Sequence, residues 1–124
     1  MAGALNPVAV TDQMAAEHGL FKNEIPTKHF RLLSYSRILK PGKPLTVYIE
    51  GDGLAWLSKH VLSEDPTPKH PLVLTLACLD SSPNLLYLAR PCQYVFDPQC
   101  DPSYWSDKRF SEEVISSKIG RAHV

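Results

Sequence analysis

The residues whose types and spacing are best suited to chemistry are Gly51, Asp52 and Gly53, which follow an apolar, β-branched segment at 45–50. Two glycines that flank one residue let the backbone adopt conformations closed to other residues, so peptide N–H groups can turn outward. Enzymes with α/β folds bind their ligands at such turns, at the carboxyl ends of strands. An ordinary strand-to-helix turn is the alternative. A dinucleotide-binding loop is not expected, because its Gly-x-Gly-x-x-Gly motif requires a third glycine at position 56, where this chain has Trp56.

The three cysteines leave the compartment open. Cys78 lies in an apolar helical pattern and is expected to be a small buried hydrophobic residue. Cys92 and Cys100 are separated by a proline-rich loop whose span a disulfide can close, but two free thiols are equally ordinary there. No metal site and no cofactor are expected, because no second cysteine pair or spaced histidine pair accompanies them.

The composition is that of one globular domain, since 44% of the 124 residues are hydrophobic and 21% are charged. Thirteen lysines and arginines balance thirteen aspartates and glutamates, and no basic stripe is present. Nucleic acid is therefore not the expected partner. No apolar run approaches the roughly 20 residues that a transmembrane helix needs. We expect either a cytoplasmic protein or one exported by a signal upstream of Met1.

Hydrophobic periodicity and turn residues predict an α/β fold with crossover helices. The strands are predicted at 20–25, 29–38, 45–50 and 85–89. The helices are predicted at 8–18, from Pro71 to a stop signal at 81–84, and at 107–117. A helical turn is predicted at 54–57. In the helix that begins at Pro71, the spacing places Leu72, Leu76 and Leu79 on one face. The run at 85–89 is continuously apolar, as expected of a strand buried on both faces of a parallel sheet.

The chain resembles the amino-terminal part of bacterial α/β-hydrolases, a serine-esterase-like family. The stretches that carry the resemblance read LTVYIEGDGLAW at 45–56, DPTP at 65–68, NLLYLARPCQY at 84–94 and YWSDKRF at 104–110. They occur in order, and the resemblance covers roughly residues 8–117. The resemblance implies the amino-terminal portion of an α/β-hydrolase fold, with a mixed or parallel sheet, that is truncated before the nucleophile elbow.

The resemblance also assigns a role to the glycine loop, because in that fold the loop after the third strand supplies a backbone N–H to the oxyanion hole. Asp52 or Gly53 would donate this N–H, and Gly51 would shape the turn. A preset N–H stabilises the oxyanion of acyl transfer by on the order of 3 kcal/mol. The substrate of the intact protein would be a small acyl compound such as an ester. Where common lipases have His-Gly-Gly-Gly, this chain has Glu50 before Gly51 and Asp52 inside the turn.

The nucleophile, acid and base of a serine hydrolase are not found in the sequence. The family needs a Gly-x-Ser-x-Gly elbow followed by Asp or Glu and then His, and no Gly-x-Ser-x-Gly occurs here. Residues 119–124 resemble a translated sequencing-library adaptor. We therefore expect a partial hydrolase domain over 1–117 and a non-native tail at 118–124, with a natural frayed terminus as the alternative.

Two functions follow as hypotheses. The first is an amino-terminal fragment of a serine-dependent α/β-hydrolase, which is inactive alone and is expected to aggregate or unfold easily because its sheet edge is unpaired. The second is a small binding or interaction domain without a catalytic role, which would explain the missing nucleophile directly. The sequence does not distinguish the acyl specificity or the oligomeric state.

Overall fold

The computed structural model describes residues 7–51, 53, 55–58, 61–68, 71–98 and 100–105. In these ranges the chain forms two α-helices, six strands and one short 3₁₀ helix at Pro102–Trp105. In chain order the helices and strands are α1 (Pro7–Glu17), β1 (Phe21–Pro26), β2 (Arg31–Ile38), β3 (Thr46–Ile49), β4 (Trp56–Ser58), β5 (Val61–Leu62), α2 (Leu72–Leu79) and β6 (Asn84–Leu88).

Four of these strands form one mixed sheet in the order β1-β2-β6-β3. Strand β2 is antiparallel to both of its neighbours, whereas β3 and β6 are parallel. The predicted α/β character is therefore confirmed, but the described sheet is mixed rather than purely parallel. Since α2 connects β3 to β6, the carboxyl ends of these two strands lie side by side.

The sheet is covered differently on its two faces. On one face Leu33 and Tyr87 pack with residues of α1 and α2, including Leu74. On the other face Leu32 and Leu88 pack with the segments that follow β3 and β6. Strand β6 contributes buried residues to both clusters, as its continuously apolar sequence predicted.

The predicted helical turn at 54–57 is wrong. Trp56–Ser58 is strand β4, and it pairs antiparallel with Val61–Leu62 to form a small second sheet. The backbone N–H of Ser63 donates a hydrogen bond to the carbonyl of Ala55, 2.9 Å away, which extends this pairing. Ala55 is buried in the second core cluster. The hairpin thus satisfies backbone groups that a single helical turn would leave unpaired.

Helix α2 buries a different face from the one the leucine spacing singled out. Leu72, Leu76 and Leu79 are exposed to 68%, 49% and 72%, respectively. The buried residues are Leu74, Ala77 and Cys78, which confirms the buried position expected of Cys78. Almost every position of this helix is apolar, so periodicity alone cannot identify its core face. The small side chains of Ala77 and Cys78 let the helix approach the sheet closely.

The other predicted elements agree with the structure where it describes them. The strands expected at 20–25, 29–38 and 45–50, and the helix expected at 8–18, each have an observed counterpart. The helix predicted at 107–117 and the tail predicted at 118–124 lie outside the described residues. Of the helices in the described ranges, neither combines the length and hydropathy that crossing a bilayer requires.

Asp80, at the C-terminus of α2, fastens the helix to the edge strand β3. Its carboxylate accepts hydrogen bonds from the Tyr48 hydroxyl, at 2.6 Å, and from the Ser82 backbone N–H, at 2.7 Å. Hydrogen bonds from Ser82 and then from Tyr48 lower the pKa of Asp80 to about 2, from an ordinary value of 3.8. The ionised form of Asp80 therefore stabilises the join between α2 and β3.

We expect D80N to lower the free energy of unfolding at neutral pH, and the loss to shrink as the solution is acidified. The folded pKa is depressed, so the contribution of Asp80 is complete above about pH 4 and disappears as the pH falls toward about 2. Urea unfolding at about pH 7, 4 and 3, followed by circular dichroism, measures the difference. E64Q, which removes an exposed charge, is the control. A D80N penalty that is independent of pH would contradict the assignment.

Candidate functional site

The glycine loop, defined as residues 50–53, begins where β3 ends and lies beside the segment that follows β6. The backbone N–H of Glu50 donates to the carbonyl of Leu88, at 3.0 Å, and so continues the parallel ladder up to the loop. Segment 90–94, which follows β6, therefore faces the glycine loop across the carboxyl edge of the sheet. This edge is where α/β proteins place their binding sites.

Glu50 turns its carboxylate into the protein. The residue is only 7% exposed. One carboxylate oxygen accepts the Gly51 N–H at 3.0 Å, and the other accepts the Tyr87 hydroxyl at 2.6 Å. Burial raises the pKa of Tyr87, and the nearby Tyr94 and Glu50 raise it further, so this hydroxyl stays a donor. Both carboxylate oxygens of Glu50 therefore accept hydrogen bonds inside the protein, where they hold the start of the glycine loop.

Gln93 holds the loop from the opposite side. Its side-chain Nε2 donates to the Gly51 carbonyl at 2.9 Å and reaches the Pro66 carbonyl at 3.5 Å. Its Oε1 accepts the Arg90 backbone N–H at 3.0 Å. Gln93 is 2% exposed, so these bonds form where solvent cannot replace them. One carboxamide therefore joins three stretches of backbone.

Gly53 is the glycine whose conformation and surroundings exclude a side chain. Its φ is +61°, in the left-handed region. A Cβ built there would overlap the carbonyl oxygen of Pro66 and would lie 2.7 Å from the Gln93 Nε2. At Gly51 a Cβ would meet no atom within 4 Å, and its φ is not positive. The special backbone position thus lies at Gly53, whereas the sequence had assigned the shaping of the turn to Gly51.

A disulfide fixes the segment that carries Gln93. Cys92 and Cys100, which the sequence left either paired or free, are bonded, with their Cα atoms 5.8 Å apart. Cys92 is buried beneath the sheet and adopts φ +70°, and Tyr94 adopts φ +64°. The Tyr94 backbone N–H donates to the Thr67 hydroxyl at 2.8 Å. Two left-handed residues and a covalent bond therefore define this turn.

The structure brings Gly51 and Gly53 to one exposed loop, and Asp52 lies outside the described residues. The N–H of Gly51 is already bonded to Glu50. Among the described residues none accepts a hydrogen bond from the N–H of Gly53. A backbone N–H that has no acceptor within the described residues can donate to an oxyanion. In the described ranges no group of His, Cys, Asp and Glu residues comes together that could hold a metal ion.

Sequence reasoning did not find the roles of Gln93, Tyr87 and Thr67. Each contacts the site from 27 to 42 positions away along the chain. All three residues fall in stretches that carry the family resemblance, and this was the only signal that pointed to them. Tyr104 packs its ring edge-on against Phe30, with the centroids 5.0 Å apart, and so fastens the loop after β6 to the core.

Comparison of the chain with protein-family models gives no match, and comparison with curated proteins and with solved structures gives none either.

Alanine substitutions at three glycines distinguish two costs of a side chain at Gly53, which are the strain of a left-handed backbone and the steric overlap with neighbouring atoms. G51A should change the free energy of unfolding by less than about 0.5 kcal/mol. G42A, at a turn with φ +86° and open space around it, should cost about 1 kcal/mol from backbone strain alone. G53A adds steric overlap to that strain and should cost at least about 2–3 kcal/mol. Urea unfolding measures all three. Equal costs at Gly42 and Gly53 would show that the contacts of the loop are unimportant.

Proposed function

We propose that this chain forms the oxyanion-stabilising side of a serine-dependent α/β-hydrolase that acts on esters or similar acyl compounds. The observation that carries the proposal is the exposed, left-handed Gly53 just beyond the carboxyl end of β3, two residues after Gly51, which Glu50 and Gln93 hold. In this class of enzyme the loop after the third strand donates an N–H to the oxyanion. Gly53 is the candidate donor within the described residues, and Asp52, the other candidate, lies outside them.

The sheet topology supports the proposal. The resemblance implies a mixed or parallel sheet with crossover helices. In the described order β1-β2-β6-β3, strands β3 and β6 are parallel and only β2 runs against the others. The helix α2 between β3 and β6 corresponds to the crossover that this arrangement requires.

The direction of the Glu50 carboxylate also supports the proposal. A carboxylate that faced the oxyanion would repel the charge that develops in the transition state. Glu50 instead accepts hydrogen bonds from Gly51 and Tyr87 and is almost fully buried. Its negative charge is therefore partly compensated inside the protein, and the acidic residue of the loop is compatible with oxyanion chemistry.

The loop would act without moving. In the proposed reaction a serine outside these residues attacks the acyl carbon, and the carbonyl oxygen gains negative charge. Glu50 and Gln93 hold Gly51 through its N–H and its carbonyl, and the N–H of Gly53, two residues further on, would stabilise that oxygen. The 124 residues contain no Gly-x-Ser-x-Gly elbow, so this chain supplies the stabilisation and not the nucleophile.

The proposal is tested by reading the coding sequence downstream of residue 117 in clean genomic DNA and expressing the longer protein. We expect a Gly-x-Ser-x-Gly elbow, labelling of its serine by a fluorophosphonate, and turnover of p-nitrophenyl acetate. In that protein G53A should lower kcat by on the order of 100-fold, because it displaces the donor loop. G42A, in the turn at the other end of β3, is the matched control. Residues 1–124 alone should show no turnover.

A longer protein that lacks the elbow, or that fails to react with both reagents, would contradict the hydrolase proposal. A stop codon directly after Val124 in clean DNA would do the same, because the chain would then have no nucleophile.

A second function, that of a non-catalytic interaction domain, is favoured by one observation. Leu45, Val47 and Ile49 alternate along the edge strand β3 and are all substantially exposed. Such an edge is a site for association with another strand. Residues 1–124 that form a soluble monomer with a sharp cooperative melt would favour this alternative, whereas aggregation favours the hydrolase fragment.

A further inference from the structure

Gln93 lies between two features that are far apart in the sequence. On one side its Nε2 donates to the carbonyl of Gly51 and contacts the position that a Cβ of Gly53 would occupy. On the other side it follows Cys92 directly, and Cys92 is bonded to Cys100. A displacement of the backbone at Cys92 would therefore also move the side-chain carboxamide of Gln93, the next residue.

The disulfide closes a loop that side-chain contacts also hold, among them the hydrogen bonds of Asp97 with Arg31 and of Tyr94 with Thr67. Residues 93–99 lie between the two cysteines, and in the described part of that span no helix or strand is formed. Cys92 is 1% exposed and packs with Leu32 and Leu88, whereas Cys100 is only partly buried. The bond thus joins an irregular loop to a residue that is buried in the core.

We propose that Gln93 is the positioning residue of the glycine loop, and that the Cys92–Cys100 disulfide controls whether Gln93 holds it. With the disulfide intact, the left-handed turn at Cys92 directs the carboxamide at Gly51. With the disulfide reduced, the turn relaxes, the Nε2 donor leaves Gly51, and the glycine loop gains freedom. Only the consequence for acyl transfer rests on the proposed function, because the coupling itself concerns loop geometry.

The chemical step is thiol–disulfide exchange with a dithiol reductant. A thiolate of the dithiol attacks the sulfur of Cys100, the more accessible partner, and the S–S bond breaks, with Cys92 leaving as the thiolate. The second thiol of the dithiol then attacks the mixed disulfide. Cys92 and Cys100 end as thiols, each having gained one electron and one proton, and the dithiol ends as a cyclic disulfide.

The left-handed backbone at Cys92 explains why the bond matters. A non-glycine residue with φ +70° is disfavoured by about 1–2 kcal/mol, so it persists only where its surroundings enforce it. Tyr94 has the same type of conformation one residue beyond Gln93. The backbone on both sides of Gln93 is therefore held against its own preference, and releasing the covalent bond removes one of the restraints.

Selective ¹⁵N labelling of glycine reports on this coupling directly. The chain contains six glycines, two of them in the glycine loop. Gly19 and Gly42 lie in turns outside the site and serve as internal controls. Alanine variants at the four described glycines assign the resonances. On reduction with dithiothreitol we expect the Gly51 and Gly53 resonances to shift or broaden, and those of Gly19 and Gly42 to stay in place.

The Gly51 amide gives a second measurement. Its N–H is bonded to Glu50, so loosening of the loop should speed its exchange with solvent by about tenfold, the change expected from loss of one hydrogen bond of ordinary strength. Alkylation under denaturing conditions and mass determination follow the reaction. One cysteine is modified in the oxidised protein, which is Cys78, and three in the reduced protein.

Two variants of Gln93 distinguish the effect of its side chain from the effect of the disulfide. Q93E keeps the acceptor for the Arg90 N–H but has no donor for the Gly51 carbonyl, and Q93M lacks both. Both should shift Gly51 and Gly53 while the disulfide is intact. C92S/C100S should reproduce the effect of reduction without a reductant. In the longer hydrolase, reduction should lower kcat with little change in KM.

The coupling is refuted if complete reduction, or both Gln93 variants, leave Gly51 and Gly53 unchanged. It is also refuted if reduction abolishes all four glycine resonances, since the disulfide would then stabilise the whole fold rather than the loop. A disulfide that no dithiol reduces in the folded protein refutes the control mechanism. These outcomes concern the 124 residues themselves, and they are distinct from a failure of ester turnover in the longer protein.

Discussion

The side-chain carboxamide of Gln93 is the interaction on which the arrangement of the candidate site depends. A carboxamide carries a donor and an acceptor on one rigid plane, so a single buried side chain can satisfy groups of opposite kind. Here it donates to the carbonyls of Gly51 and Pro66 and accepts from Arg90. Without it, these backbone groups would lose this partner, and a polar group that is buried and left unpaired costs about 1–3 kcal/mol.

Gln93 can reach these groups because β6 is paired on both sides. Its antiparallel pairing with β2 fixes the strand in the core, and its parallel pairing with β3 aligns the carboxyl ends of the two strands. The segments that leave these ends must then pass each other. A parallel pair separated by one crossover helix thus brings residues 51 and 93 into contact, although 42 positions separate them. The site is a consequence of strand order as much as of side-chain identity.

The features that depend on residues close together in the sequence could be predicted. The strand before Gly51, the continuous apolar run of β6 and the buried position of Cys78 all follow from composition and spacing, and the structure agrees. The sequence did not predict the buried face of α2, because a helix that is apolar all round has no unique core face. Nor did it predict the direction of the Glu50 side chain. That direction depends on Tyr87, which lies 37 positions away and becomes a neighbour only when β3 and β6 pair.

The glycine loop is held from one side only in the described part of the chain. Gln93 and Glu50 connect it to β6 and to the protein interior, while the other side of β3 is the edge of the sheet. Along that edge Leu45, Val47 and Ile49 expose apolar side chains in strand alternation. A strand that pairs there binds the backbone groups of β3 and lies next to the loop, because the loop continues directly from β3. Both proposed functions therefore use the same edge: a hydrolase needs a neighbour at that position to carry its nucleophile toward Gly53, and an interaction domain needs one to cover its exposed surface.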